Sequence, residues 1–387
     1  MPNETLAVGR SALRRDGRPK VTGAAAYTAD LRPSGCLHAA ILRSPHHHAR
    51  ICAIDTAPAR QVNDVVAVLT HADLPAAQPI GPFVADQPVL AGERVRHIGE
   101  PVALVVARSR ETARAACKLI QVHYALLPAV LDPLTALDPE TASIHPDGNL
   151  CAEYHLTHGD VAAGFAQADV VLEETFQVQR VSPAYMEPET ALACWEEGGA
   201  LTVWTGSQKP FVDRKEIAAV LGLPLEQVTV RNAEVGGAFG GKEDSILAVL
   251  AGLAAMHTRS SVLLANERWE SFVGHPKRHP AVIHLKLGAQ RDGTLTALQA
   301  GVTLDTGAYA SYGPAVGCQL TELTPGPYRT PNVLVDTRVC YTNNPYSGAM
   351  RGFGSPQAAF ALEGLLDRLA EQLAMDPIEL RRRNMLR

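Results

Sequence analysis

One stretch constrains this chain more than any other. The strand-like run "QVTVRNAEV" leads into the glycine loop "VGGAFGGKED", residues 235–244, and the apolar helix pattern "EDSILAVLAGLAAMH" follows at once. Strand, glycine loop and helix in succession are the mark of an α/β unit. Glycine permits positive φ and close approach of backbone to a ligand, so a loop of this kind opening a helix can cradle anionic groups on free amides. The rest of the chain repeats the alternation. "CLHAAILRS", "VVAVLT" and "PVALVVA" read as strands, Ser109 caps the helix "RETARAACKLI", and "QVHYALL" returns as a strand. Further on, "DVVLEETFQVQ" and "ALTVWTG" are strand-like. "KPFVDRKEIAAVLGL" has helical spacing, and "AVIHLKLGAQRDGTLTALQAGVTLD" is a strand pair turning at Asp292-Gly293. The prolines at 128, 133, 139 and 146 mark residues 128–149 as an extended linker between the two stretches. Near the end, Asp376, Pro377 and Glu379 form a capping-box signature for a last helix.

With 387 residues, the chain is long enough for two domains, and its 31 Gly and 27 Pro imply many turns. A net charge of −5 argues against a nucleic-acid grip or an anionic membrane surface, either of which wants a basic stripe. The seven cysteines stand singly, without metal-ligand spacing, and read as free thiols in a reducing compartment. The polar, basic opening has no apolar signal region and no run reaches membrane-spanning length, so a cytoplasmic protein is expected.

The glycine loop has a look-alike. Gly236, Gly241 and Lys242 fit G-x-x-x-x-G-K, but the next residue is Glu243, where a phosphate-binding P-loop places Ser or Thr on Mg²⁺. A carboxylate there would repel a triphosphate. The spacing also fails G-x-G-x-x-G, so a Rossmann dinucleotide site is not expected. A second loop, "NNPYSGAMRGFGSPQ", follows the strand-like "VLVDTRVCYT" and again sets one cation, Arg351, and one phenylalanine, Phe353, among glycines. Two such loops suggest walls of a single site for a flat or phosphate-bearing molecule.

"GGAFGGKE" and "AMRGFGSPQ" resemble the two molybdopterin loops of the xanthine dehydrogenase and aldehyde oxidase family of molybdenum hydroxylases. "GRPKVTGAAAYTAD", "LHAAILRSPHHHARI", "GEPVALVVA", "MEPETALACW", "WTGSQKPF" and "LRRRN" match as well, in order, along nearly the whole chain. The resemblance implies an α/β (α+β) chain: a hammerhead-like domain over 18–127, the linker 128–149, and the first molybdenum-cofactor-binding domain over 150–387. It also assigns residues. Gln208 resembles the glutamine that hydrogen-bonds the apical oxo ligand of molybdenum. Gly237, Phe239 and Gly240 match the loop over the metal, and Ala349 and Arg351 line the cofactor from the second loop. Phe353 matches an aromatic that stacks on the substrate, and Glu243 a carboxylate that contacts substrate in purine hydroxylases. Taken alone, Gln208 reads as a strand-end surface residue and Phe353 as a core or lid residue.

Two departures bear on substrate. Gln319 falls where purine hydroxylases place a substrate-clamping arginine, and the second loop lacks the cysteine of carbon monoxide dehydrogenases. The resemblance therefore implies a molybdenum-dependent oxidoreductase component hydroxylating a heteroaromatic or aldehyde carbon with water-derived oxygen. Its cofactor would be molybdopterin, as the cytosine dinucleotide, with [2Fe-2S] and FAD on partner subunits. No direct metal ligand and no catalytic residue are expected in this chain. The general-base glutamate belongs to the family's second half, expected on a separate partner as in nicotinate dehydrogenases. The alternative is a non-catalytic cofactor-binding or scaffold paralogue.

Overall fold

The computed structural model describes residues 9, 11–75 and 78–386; the polar opening of the chain and Arg387 lie otherwise outside the described residues. Two sheets dominate. A seven-stranded sheet runs in the order Val228–Arg231, Leu201–Thr205, Thr190–Trp195, Val262–Ala265, Leu37–Arg43, Pro101–Ala107, Val65–Thr70. Its join is Leu37–Arg43, which pairs parallel with Val262–Ala265 on one side and antiparallel with Pro101–Ala107 on the other. The early α/β stretch and the later one thus share a single sheet. "PVALVVA" is buried at every position, which is why it reads as an unbroken apolar run rather than an alternating one. The helix Ile246–Thr258, buried from Ile246 through Ala255, packs on Thr190–Trp195 and is part of the same core.

The second sheet has five strands, in the order Leu150–His158, Val333–Tyr341, Leu295–Gly307, Ala281–Ala289, Val170–Val178. Helices Gly313–Leu323 and Ser355–Gln372 cover one face. Val170–Val178 alternates half-buried and exposed residues, as an edge strand with one wet face should. A small three-stranded sheet, Arg94–Val95, Ala49–Asp55 and Gln121–Leu126, completes the early stretch.

Most elements follow the sequence pattern, and the differences have local causes. Ser109 Oγ accepts from the Thr112 amide and starts the helix Arg110–Cys117. Gly293, at φ 87°, turns the expected strand pair. "QVTVRNAEV" stays a strand only over Val228–Arg231, because Asn232 bonds the backbone of Ser207 through its Oδ1 (3.2 Å) and Nδ2 (2.7 Å) instead of extending the ladder. At the last helix Asp376 Oδ1 accepts from the Ile378 and Glu379 amides, but the reciprocal Glu379 half of the capping box is not formed. Residues 128–149 form turns, pinned where Val130 and Asn343 exchange hydrogen bonds and where the buried Asn149 side chain ties Ala136, Ala142 and Ile144. All seven cysteines are free.

The joining strand carries a buried ion pair. Arg43 donates to Glu270 Oε1 (3.1 Å), Asn266 Oδ1 (2.9 Å) and the Gly99 carbonyl (3.1 Å). Removing one partner of such a pair strands the other in low dielectric. Arg43→Ala should therefore lower unfolding free energy by about 3–5 kcal/mol, with Arg43→Lys intermediate because it keeps the charge and loses the fork. Urea midpoints measured at fixed m-value check both.

Candidate functional site

Each sheet contributes one glycine loop. The first leaves Val228–Arg231 and enters helix Ile246–Thr258; the second leaves Val333–Tyr341 and enters helix Ser355–Gln372. They meet at Gly240. A Cβ on that residue would lie 2.7 Å from both carbon and oxygen of the Ala349 carbonyl and 2.8 Å from Met350 Cα, and its φ is +94°. No other residue type fits there without moving one loop. The Arg351 amide donates to the Phe239 carbonyl (2.8 Å), and Arg278 Nη2 donates to the Arg351 carbonyl (2.6 Å), so a third segment closes the junction.

Both loop phenylalanines are held in the left-handed region, Phe239 at φ 55° and Phe353 at φ 48°. A bulky residue there costs on the order of 1–3 kcal/mol and persists only where its surroundings over-determine it. The result is a cavity of about 320 Å³ lined by Gln208, Phe239, Gly240, Glu243, Ala349, Met350, Arg351, Gly352 and Phe353. Gln208 is held in place from two sides. Its amide donates to the Lys242 carbonyl (3.0 Å), its Oε1 accepts from the Gly240 amide (2.8 Å), and Nε2 points toward Glu243 Oε1 at 3.4 Å.

The structure brings together seven of the nine residues singled out from the sequence: Gln208, Phe239, Gly240, Ala349, Arg351, Glu243 and Phe353. Gly237 is not part of the lining; it sits beneath the Phe239 ring, 3.3 Å from its Cε2 by an added Cβ. Gln319, on helix Gly313–Leu323, lines a neighbouring cavity of about 510 Å³ that shares only Phe353 with the first. Met350 and Gly352 complete the lining from inside the second loop. Arg278 lies on a further cavity of about 540 Å³ beside Phe239 and Arg351. Nothing in the spacing around "HPKRHP" marks Arg278, because it reaches the loops from the strand bridge Val181–Arg278, a tertiary contact.

Lys242, the residue behind the P-loop likeness, is turned inward. It is 4% exposed, pairs with Glu187 Oε2 at 2.6 Å and sits 5.0 Å from the centre of the Tyr185 ring. The same Glu187 oxygen accepts from the Gly236 amide (2.7 Å), so this pair anchors the loop and leaves no lysine for a phosphate in the cavity. Asp244 anchors the other end, accepting from the buried Tyr346 hydroxyl at 2.7 Å. Burial, then the Asp244 charge, raises the Tyr346 pKa, so this phenol remains a donor.

The donor set suits molybdopterin. Its oxo, dithiolene and phosphate groups are acceptors, and the walls offer the Gln208 amide together with the Arg351 and Arg278 guanidiniums, which make no ion pair among the described residues. The amides of Phe239, Met350 and Gly352 likewise donate to no acceptor among the described residues.

Residues 144–385 match the molybdopterin cofactor-binding domain family, and residues 22–128 match the α/β hammerhead domain of aldehyde oxidase and xanthine dehydrogenase. The chain belongs to the xanthine dehydrogenase and aldehyde oxidase family. It is 39% identical over 381 residues to the nicotinate dehydrogenase large molybdopterin subunit of Eubacterium barkeri, covering 98% of this chain and 90% of that protein. To a probable xanthine dehydrogenase subunit of Bacillus subtilis (strain 168) it is 40% identical, covering 97% of this chain and 50% of that protein. Among solved structures it superposes on aldehyde oxidoreductase from Desulfovibrio gigas with a TM-score of 0.93 at 33% identity, covering 97% of this chain and 43% of that one. For quinoline 2-oxidoreductase from Pseudomonas putida 86 the TM-score is 0.90 at 34% identity, covering 98% and 50%. The chain thus spans about half the length of three of these four relatives. Among the described residues no helix is long and apolar enough to cross a membrane.

Two tests follow from the junction. Gly240→Ala should force the loops apart and expose the loop 235–244 to proteolysis, whereas Gly301→Ala, whose Cβ would meet nothing within 4 Å, should not. Behind the second loop lies Lys277, whose Nζ donates to the Ser271 carbonyl (2.8 Å) and to that of His275. Burial lowers its pKa to about 7, with Arg180 and Arg43 adding to the effect and Glu189 opposing it. Between there and the unfolded lysine value near 10.5, the unfolded chain holds more protons than the folded one, so this group makes stability rise with pH. Urea midpoints across this window should rise less steeply in Lys277→Met than in the parent.

Proposed function

We propose that the chain is the molybdopterin-binding component of a molybdenum hydroxylase. In this reading the enzyme hydroxylates a heteroaromatic or aldehyde carbon with water-derived oxygen and passes electrons to iron–sulfur and FAD centres on partner subunits. The observation that carries it is the junction at Gly240, where two loops from separate sheets close a donor-rich cavity under two strained phenylalanines. Bound there, as the cytosine dinucleotide form of the cofactor, molybdenum would supply the oxygen-transfer and two-electron chemistry. Gln208 would orient its amide toward the centre, fixed by the Gly240 amide. Arg351 and the free loop amides would hold the cofactor's acceptors, and Phe353 would pack on the substrate ring and exclude water.

No residue of this chain is assigned as general base. A second molybdopterin-binding polypeptide, equivalent to the part of the longer relatives that this chain does not span, is proposed to supply that carboxylate. The names of the relatives carry nicotinate, quinoline and aldehyde substrates, and these classes are carried over here. Gln319 cannot offer a purine oxygen the charge-assisted clamp of an arginine, so xanthine is expected to be a poor substrate.

The test is reconstitution. Co-expressed with the complementing polypeptide, the chain should form a complex that retains molybdenum and turns over electron-poor rings, while the chain purified alone should be silent. Phe353→Ala should keep full metal content and lose about 1–3 kcal/mol of transition-state binding. Gln208→Ala should instead change the metal's spectroscopic signature and slow every substrate alike. Metal loss in Phe353→Ala, or a change of substrate preference alone in Gln208→Ala, would reverse these two roles.

A further inference from the structure

A cavity of about 710 Å³ lies outside the loop site, at a fork in the seven-stranded sheet. Leu37–Arg43 and Val262–Ala265 pair in parallel only from Leu37 to Ala39. After Ala265 the chain turns off into helix Arg268–Gly274, and the second half of Leu37–Arg43 is left as the floor of a groove between that helix and helix Arg110–Cys117. The Leu37 amide donates to the Ser261 carbonyl (2.8 Å), which fixes the side of the strand that faces the fork. Backbone groups alternate sides along a strand, so the amide and carbonyl of Ile41, four residues on, face the fork too, and no strand pairs with them there among the described residues. Ile41 is buried, and backbone groups left single in such a place cost about as much as a lost hydrogen bond.

The walls add apolar surface and charge to this free edge. Trp269, 54% exposed, stands on one rim with its Nε1 donating to Glu267 Oε2 (2.8 Å). Arg114 stands on the other. Its Nη1 bonds Glu267, while its Nη2 is buried without a hydrogen-bond partner, 3.8 Å from Glu270 Oε2. Lys118, exposed one turn further on, pairs with no carboxylate among the described residues. The lining sets three cations, Arg43, Arg114 and Lys118, against two carboxylates, Glu267 and Glu270, and so carries an excess of positive charge. A strand edge asks for donors and acceptors at strand spacing, which another backbone supplies, and the unmatched cations ask for a carboxylate on it.

We propose that the groove takes an extended segment of the complementing polypeptide, which adds a short strand at Ile41 and sets a carboxylate against Arg114 and Lys118. Two observations name this occupant. Three of the four relatives described above carry about as much chain again beyond the part matched here, so a polypeptide of that size is available to lie against this one. The groove also shares a wall with the loop site: helix Arg268–Gly274, seven residues or about 10 Å long, runs directly into His275, whose Nδ1 lies 3.1 Å from the Gly241 carbonyl. A polypeptide that completes the loop site is therefore within reach of the groove. The proposal rests on the preceding reading that such a polypeptide assembles with this chain.

Hydrogen exchange read by mass spectrometry compares the full chain alone with the co-expressed complex. The Ile41 amide, resolved by overlapping peptides, should exchange at least about tenfold more slowly in the complex, because it then lies inside a ladder. Lys118→Glu and Trp269→Ala alter side chains that face solvent, so urea midpoints of the chain should stay close to the parent value. Lys118→Glu should slow association of the complex and Trp269→Ala should speed its dissociation, both read by surface plasmon resonance. Unchanged exchange at Ile41 in a complex that retains molybdenum overturns this proposal and leaves the hydroxylase reading standing. A metal-free complex in which the Ile41 amide slows does the reverse. Parent-like kinetics in both variants, failure of the complex to form, or slowing that grows with the concentration of the chain alone, the mark of a second copy in the groove, also overturns it.

Discussion

The approach of Gly240 to the Ala349 carbonyl is the contact on which the arrangement of the site depends, because it is where the loops of the two sheets come closest backbone to backbone. The seven-stranded sheet delivers one loop and the five-stranded sheet the other, and neither encloses anything alone. A Cβ at 240 would sit 2.7 Å from the Ala349 carbonyl, inside contact distance, so one loop would have to give way. With hydrogen there, the Phe239 carbonyl can accept from the Arg351 amide, and the pocket acquires a floor made of backbone. Backbone floors present amides at fixed spacing, which suits a ligand bearing several acceptors better than flexible side chains would.

That floor is strained, and the strain is borne by buried polar contacts behind it. Lys242 and Glu187 tie down one loop, and Tyr346 on Asp244 links the two. His275 Nδ1 lies 3.1 Å from the Gly241 carbonyl, and the Lys277 carbonyl accepts from the Gly348 amide at 2.9 Å, so the single segment 275–277 touches both loops. Ion pairs buried this deeply add little net stability compared with apolar packing, but breaking one is costly. Their value here is geometric: two phenylalanines stay at positive φ in loops that these contacts hold in place.

Phe353 lies between two neighbouring cavities and is the residue they share. On one side are Gln208, free amides and two guanidiniums without carboxylate partners among the described residues, with Glu243 as the one carboxylate on that wall. On the other are Phe83, Tyr154 and Gln319, with Glu322 exposed at the edge, and Tyr312 bridges the Phe83 and Phe353 rings edge-on.

Much of this was legible in the residues. The strand–loop–helix order, the Ser109 cap, the Asp292-Gly293 turn and the two glycine loops are local patterns whose causes lie within a few residues, so the amino-acid sequence by itself determined them. The same holds for the weakness of the P-loop likeness, since Glu243 stands where a hydroxyl is needed. What only the tertiary structure decided depends on contacts between residues far apart in the chain. That Leu37–Arg43 would bridge the early and late stretches, that Lys242 would turn inward to Glu187, and that Arg278 would close the junction are long-range pairings no periodicity encodes. Phe83 makes the point most sharply: as an exposed loop tip it has no pattern of its own, and it becomes part of a wall only because Asp86 accepts from an amide 224 residues away. Local propensity acts through neighbours on the chain, whereas a site of this kind is assembled by packing and hydrogen bonds that exist only once both sheets are in place.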